Sequence, residues 1–139
     1  MRIYTAAPFM TYERVRAFNA DAREAGHEVT HDWTLTEEFG PDGRPIFGDG
    51  ATLDMAVKAQ RAIEDQVGVE NAEAVILLAD GGPSFGACME AGMAVANGIT
   101  LYVVAPTAFT IFWGLPGVIV LPDETAARDM LGMKMTAVA

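Results

Sequence analysis

The chain has 139 residues and a formal net charge of −10, with about half of its residues hydrophobic and a fifth charged. That length is enough for one domain, residues 1–139, with a substantial buried core, and too short for two. The acidic balance and the absence of any Lys/Arg cluster argue against a nucleic-acid polymer as partner, because a phosphate backbone demands clustered cations. A single small anion stays compatible with it, since free N–H groups at a helix start can hold one.

One cysteine, Cys88, and two histidines, His27 and His31, rule out an internal disulfide and make a structural metal site improbable. No metal and no cofactor is expected. Glu13 and Arg14 interrupt the apolar N-terminus too early for a signal peptide. The uncharged run from Ala91 to Pro122 is long, but Asn97-Gly98, Pro106, Gly114 and Pro116-Gly117 cut it into pieces too short to span a bilayer. A cytoplasmic protein with no membrane contact is the default expectation.

In chain order, Arg2–Ala6 reads as a first strand closed by Ala7-Pro8. From Thr11 the apolar spacing is helical, and Gly26 ends it. His27–Thr30 is a short second strand. Asp32–Gly50 is polar and turn-rich, and a loop of that length in a small domain is usually functional or mobile; its composition suits closure over a ligand and a solvated excursion equally. Ala51–Val67 reads as a helix with Leu53, Ala56, Val57, Gln60, Ile63 and Val67 along one side.

Ala74–Ala79 is a continuous apolar run, as in strands covered on both faces. Gly81-Gly82-Pro83-Ser84 turns the chain into a helix of small residues ending near Gly98. Ile99–Ala105 and Val118–Leu121 are the last strands, and Asp123-Glu124 opens a terminal helix to about Leu131. The alternation implies an α/β fold: a three-layer, doubly wound sheet of about five mainly parallel strands, flavodoxin- or Rossmann-like. Ligands in such sheets sit beyond the carboxyl ends of the strands, here at Ala6–Met10, His31–Gly50, Ala79–Ser84 and Pro106–Phe112.

Glu90 is the only charged residue between Asp80 and Asp123. Its helix presents Ala87, Ala91, Ala94, Val95 and Gly98 to the sheet, which places Glu90 beside the buried stripe. Desolvation there is costly. The nearby helix start is expected to keep the carboxylate ionised, fit to act as a nucleophile or base; a solvent-facing Glu is the competing reading. Asp65 lies near the end of the preceding helix and reads either as part of an acidic surface with Glu64 and Glu70 or as a partner to Glu90. Ser84 and the N–H groups around Gly86 could cradle a phosphate or a sugar hydroxyl, or Ser84 could simply cap the helix. Cys88 reads as a small core residue.

Three stretches together resemble the nucleoside 2-deoxyribosyltransferase superfamily, which includes the deoxynucleoside 5′-monophosphate N-glycosidases. They are Ile3-Tyr4-Thr5-Ala6-Ala7-Pro8-Phe9; Asp65 followed by Val69 and Ala72-Glu73-Ala74-Val75-Ile76-Leu77, with Glu73 where the family has a second Asp; and Pro83-Ser84-Phe85-Gly86-Ala87-Cys88-Met89-Glu90-Ala91-Gly92-Met93-Ala94, with Ala91 in place of the usual Leu. The resemblance runs from about Arg2 to Leu121. It implies Glu90 as the nucleophile at the anomeric carbon, Asp65 as the assisting carboxylate and Ser84 as a phosphate ligand.

The substrate so implied is a small-molecule nucleoside or nucleotide, cleaved by water or transferred to a second base. Two carboxylates ~5 Å apart suit double displacement through an oxocarbenium-like state. The first loop, Ala6–Met10, lacks the Ser and Arg of phosphate-specific relatives, and the negative charge disfavours a dianion, while Ser84 favours one. Pro8 is placed with the substrate, and Phe9, Trp33 and Phe47 could supply a stacking face for the base, each against the competing reading of core or loop packing. The resemblance also implies a homodimer or higher assembly, to which Leu115-Pro116 and Met133–Val138 could offer apolar surface.

Overall fold

A computed structural model describes residues 1–35, 41, 55–82, 84–107 and 110–134. Phe47, Leu53 and Pro83 fall outside these residues, as do most of the 32–50 loop and of the 133–138 tail.

The strands are β1 (Arg2–Ala6), β2 (Glu28–Val29), β3 (Ala74–Leu78), β4 (Thr100–Val104) and β5 (Val118–Leu121), and the helices are α1 (Tyr12–Glu24), α2 (Met55–Glu70), α3 (Phe85–Ala96) and α4 (Glu124–Met130). All five strands pair in parallel, in the order β2-β1-β3-β4-β5. This is the flavodoxin-like form of the expected doubly wound sheet, with its switch point between β1 and β3.

Alternation along the central strands sorts side chains into two cores. On one face, Tyr4, Ala6, Val75, Leu77, Leu101 and Val103 pack with Val69 of α2 and Ala87, Ala91 and Ala94 of α3. On the other, Ile3, Ile76, Leu78 and Val104 meet Val15, Phe18 and Ala22 of α1 and Ala127 of α4. The small residues of α3 let that helix lie close on the sheet, as its stripe predicts at Ala87, Ala91 and Ala94; Gly98, also assigned to that stripe, lies past the end of α3 and is exposed.

α2 departs from its predicted stripe. Ile63 and Val67 are 59% and 48% exposed, while Gly68 and Val69 are the residues it buries. The helix meets the sheet through its last turns only, so a stripe drawn through its whole length points away from the core. Cys88 also departs: it is exposed and lies outside the core. No helix among the described residues is long and apolar enough to cross a membrane.

Candidate active site

Tyr4 lies in the middle of β1, paired with Val75 of β3, and is fully buried beneath α2 and α3. A buried phenol needs an acceptor. Tyr4 finds it in Glu90, donating its hydroxyl hydrogen to Oε2. Asp65 of α2 acts on the same phenol. Burial pushes the Tyr4 pKa far above the ordinary phenol range, and the charges of Glu90 and Asp65, with the hydrogen bond to Glu90, push the same way. Tyr4 therefore stays protonated, a permanent donor set between two carboxylates. Having a single O–H, it serves one acceptor at a time.

Glu90 is half-buried, in the second turn of α3. Burial raises its carboxyl to about 8; the Tyr4 hydrogen bond opposes this and the charge of Asp65 adds to it. The expectation that the helix start keeps Glu90 ionised is thus not met. Desolvation outweighs a dipole effect that fades beyond the first turn. The group sits protonated at neutral pH, with its ionisation within reach.

Asp65 is gripped from the other side by His31, whose Nε2 lies 3.4 Å from Asp65 Oδ1. His31 follows Thr30, whose hydroxyl donates to the Gly68 carbonyl at 2.6 Å. Gly68 lies one helical turn beyond Asp65, where α2 presses against both residues. A β-carbon there would fall 2.6 Å from the His31 Cβ and 3.0 Å from two atoms of the Tyr4 ring. Only glycine permits that approach.

A cavity of about 470 Å³ opens at the carboxyl ends of β1 and β3, at the switch point. Its walls are mostly apolar and include Pro8, Leu77, Asp80, Ser84, Ala87 and Trp113. Gly82, also in the wall, turns the chain toward α3 at φ +109°, a conformation that favours glycine. Ser84 caps α3, its Oγ accepting from the Ala87 N–H at 3.3 Å, and a hydroxyl so placed still has a hydrogen to donate. Asp80 is bound bidentately by Arg14, at 2.7 and 3.0 Å, and Arg14 also donates to Glu124 at 2.6 Å.

Of the residues singled out in the sequence, Asp65 and Glu90 come together on Tyr4, and Pro8 and Ser84 share the cavity wall. Glu90 and Asp65 lie outside that wall; Ala87, one turn before Glu90, is within it. Phe9 and Trp33 pack on each other, ring centres 6.0 Å apart, and Trp33 donates its indole N–H to the Thr5 carbonyl at 2.8 Å. Both sit at the end of β1 rather than in the cavity wall. Gly86 is exposed. Tyr4, His31, Gly68 and Trp113 went unassigned in the sequence; Trp113 lies one residue past the Pro106–Phe112 segment marked at a strand end.

Fold and site together define a doubly wound α/β protein in which a buried phenol bonds one carboxylate and feels the charge of a second, near its switch-point cavity. No protein-family model matches the sequence, and no curated protein does. Among solved structures the chain is similar in fold to the Clostridium botulinum CMP N-glycosidase BcmB, with a TM-score of 0.60 and 20% identity over 95% of this chain and 98% of that one. Likeness at that identity establishes shared architecture over nearly the whole chain.

Proposed function

We propose that the protein cleaves or transfers at the N-glycosidic bond of a nucleoside, with Glu90 as nucleophile and Asp65 as the carboxylate that assists the departing base. The observation that carries this reading is the convergence of Glu90 and Asp65 on the Tyr4 phenol. An oxocarbenium-like transition state needs a fixed anion at the anomeric carbon and a second group beside the leaving atom. The fold likeness to a CMP N-glycosidase points to the same reaction class.

In the proposed sequence the ionised Glu90 attacks the anomeric carbon as the bond to the base breaks. The electron pair of the broken bond leaves with the base, and Asp65, entering the step with a proton, is assigned to deliver it to the base and becomes the carboxylate. Tyr4, relieved of a full negative charge at Glu90, can turn its hydrogen to Asp65. Water then returns the sugar to solution, or a second base accepts it. The apolar cavity with the Trp113 indole in its wall suits a planar base, and its proximity to Ala87 leads the sugar toward Glu90.

A nucleoside is favoured over its 5′-monophosphate. None of the described wall residues is Lys or Arg, one is Asp80, and the neighbouring Arg14 guanidinium is engaged by Asp80 and Glu124. Ser84 in the wall, with a hydroxyl hydrogen to spare, supports the second reading, a nucleotide N-glycosidase. Incubation with deoxynucleosides, ribonucleosides and their monophosphates, each with and without a second base, separates these outcomes. A swapped base means transfer; free sugar or sugar phosphate means hydrolysis. No product from any substrate overturns the proposal.

A further inference from the structure

We infer that His31 is a positioning residue for Asp65, and that Gly68 is the space that lets it reach. This rests on the function proposed above and adds a residue to it. The segment after β2 is tied to α2 at neighbouring points: Thr30 Oγ1 donates to the Gly68 carbonyl at 2.6 Å, and His31 Nε2 lies 3.4 Å from Asp65 Oδ1. Asp65 and Gly68 are three residues apart, so both look out on the same side of α2. The missing β-carbon at Gly68 is what allows the His31 Cβ and the Tyr4 ring to press against that side together.

Asp65 lies more than a turn before the end of α2, where no helix terminus gives its carboxylate a reason to hold one orientation. His31 supplies that reason by occupying Oδ1, so that Asp65 presents its other oxygen in a fixed direction. The charged groups facing the imidazole are Asp65 and Glu64 from α2 and Asp32 from its own segment. They raise its pKa above the ordinary histidine value against the opposing effect of burial, with the close approach of Asp65 the largest cause. When protonated, His31 beside Asp65 offsets, locally, the negative charge gathered around Tyr4.

Two measurements test this. NMR titration follows the two histidines, with His27, held between the Met1 amino group and the Leu131 carbonyl, reporting any general change of fold. In Asp65→Asn, and separately in Gly68→Ala, the His31 midpoint should fall toward the ordinary value; a midpoint unmoved in both overturns the pair. The kinetic arm is a cycle of His31→Gln and Asp65→Asn on the best nucleoside substrate. His31→Gln should lower kcat by about tenfold with little change in KM when Asp65 is present, and cause no further loss when Asp65 is Asn. Equal losses in both backgrounds would mean that His31 acts on the fold and not through Asp65. If wild-type protein turns over no nucleoside or nucleotide, the proposed function fails and the positioning role fails with it, while the titration still decides whether the pair exists.

Discussion

The hydroxyl of Tyr4 and the carboxyl of Glu90 meet across 86 residues of chain, joining the middle of β1 to the second turn of α3. The bond does more than satisfy a buried phenol. It is the one influence on Glu90 that lowers a pKa which burial has driven up to about 8. Tyr4→Phe keeps the ring and removes the hydroxyl, so the Glu90 midpoint should move higher still. With a midpoint of about 8, roughly a tenth of Glu90 is ionised at neutral pH, and each further unit costs another tenfold. The expected result is a kcat/KM profile displaced to alkaline pH, with most of the neutral-pH loss recovered as pH rises. A loss that is the same at every pH would mean that Tyr4 acts on something other than the ionisation of Glu90.

Glu90→Gln should lower turnover by about 10³-fold or more while improving the fold at alkaline pH. The sign follows from proton counting. The carboxyl titrates near 4.5 when unfolded and at about 8 when folded, so between those values the folded state holds a proton that the unfolded state has released. Stability then falls as pH rises through this window and levels off above it. His31 works in the same direction: its folded pKa is raised, so its contribution is complete below the unfolded value and is lost as pH climbs through the folded one. Glutamine does not titrate, so Glu90→Gln should match wild type in mild acid and exceed it by a few kcal/mol at about pH 9. Denaturant melts across that range measure the difference; parallel curves for the two proteins would refute the assigned burial cost.

Gly68→Ala sets a local preference against a packing constraint. Alanine favours a helix interior over glycine by about 1 kcal/mol, so on propensity alone the change stabilises. Its β-carbon, however, would lie 2.6 Å from the His31 Cβ and 3.0 Å from the Tyr4 ring. Neither is the free end of a flexible side chain, and Tyr4 is fully buried in the central strand β1. Overpacking of this kind costs about 1–3 kcal/mol. The net expectation is a lower Tm together with reduced activity, because the displaced residues are those that hold Glu90 and Asp65. A rise in Tm would mean that the segment carrying His31 yields easily.

Most of the frame was legible because strands covered on both faces leave continuous apolar runs, as in Ala74–Leu78, and because α3 carries its small residues on one face. Glu90 stood out as a lone charge in an apolar stretch. Tyr4 did not, since a tyrosine inside a buried strand reads as core, and only the fold brings its hydroxyl to a residue so distant in sequence. Gly68 resembles an ordinary helix stop, yet α2 continues to Glu70. His31 sits in a connecting segment whose placement depends on that glycine. Ile63 and Val67 misled in the opposite way: their helical spacing is real, but a helix that touches the sheet only at its end has no use for a full-length stripe.

Asp80 is the wall residue expected to set whether the cavity tolerates a phosphate. As it stands, the carboxylate belongs to the wall and holds the Arg14 guanidinium at 2.7 and 3.0 Å, with Glu124 taking a third N–H at 2.6 Å. A nucleoside 5′-monophosphate entering here would meet a carboxylate in the wall and would have to compete with it for the guanidinium. Partly exposed ion pairs of this sort are worth at most about 1 kcal/mol to the fold, so Asp80→Asn should change Tm little. Its effect on specificity should be larger, because the variant removes a like charge and leaves two N–H donors of Arg14 to turn toward an anion. The expected outcome is a KM for the monophosphate that falls by about tenfold relative to that for the parent nucleoside, a difference of about 1.4 kcal/mol. Arg14→Ala in the Asp80→Asn background should abolish the gain. An unchanged KM ratio in Asp80→Asn would place the sugar's 5′ end away from this wall.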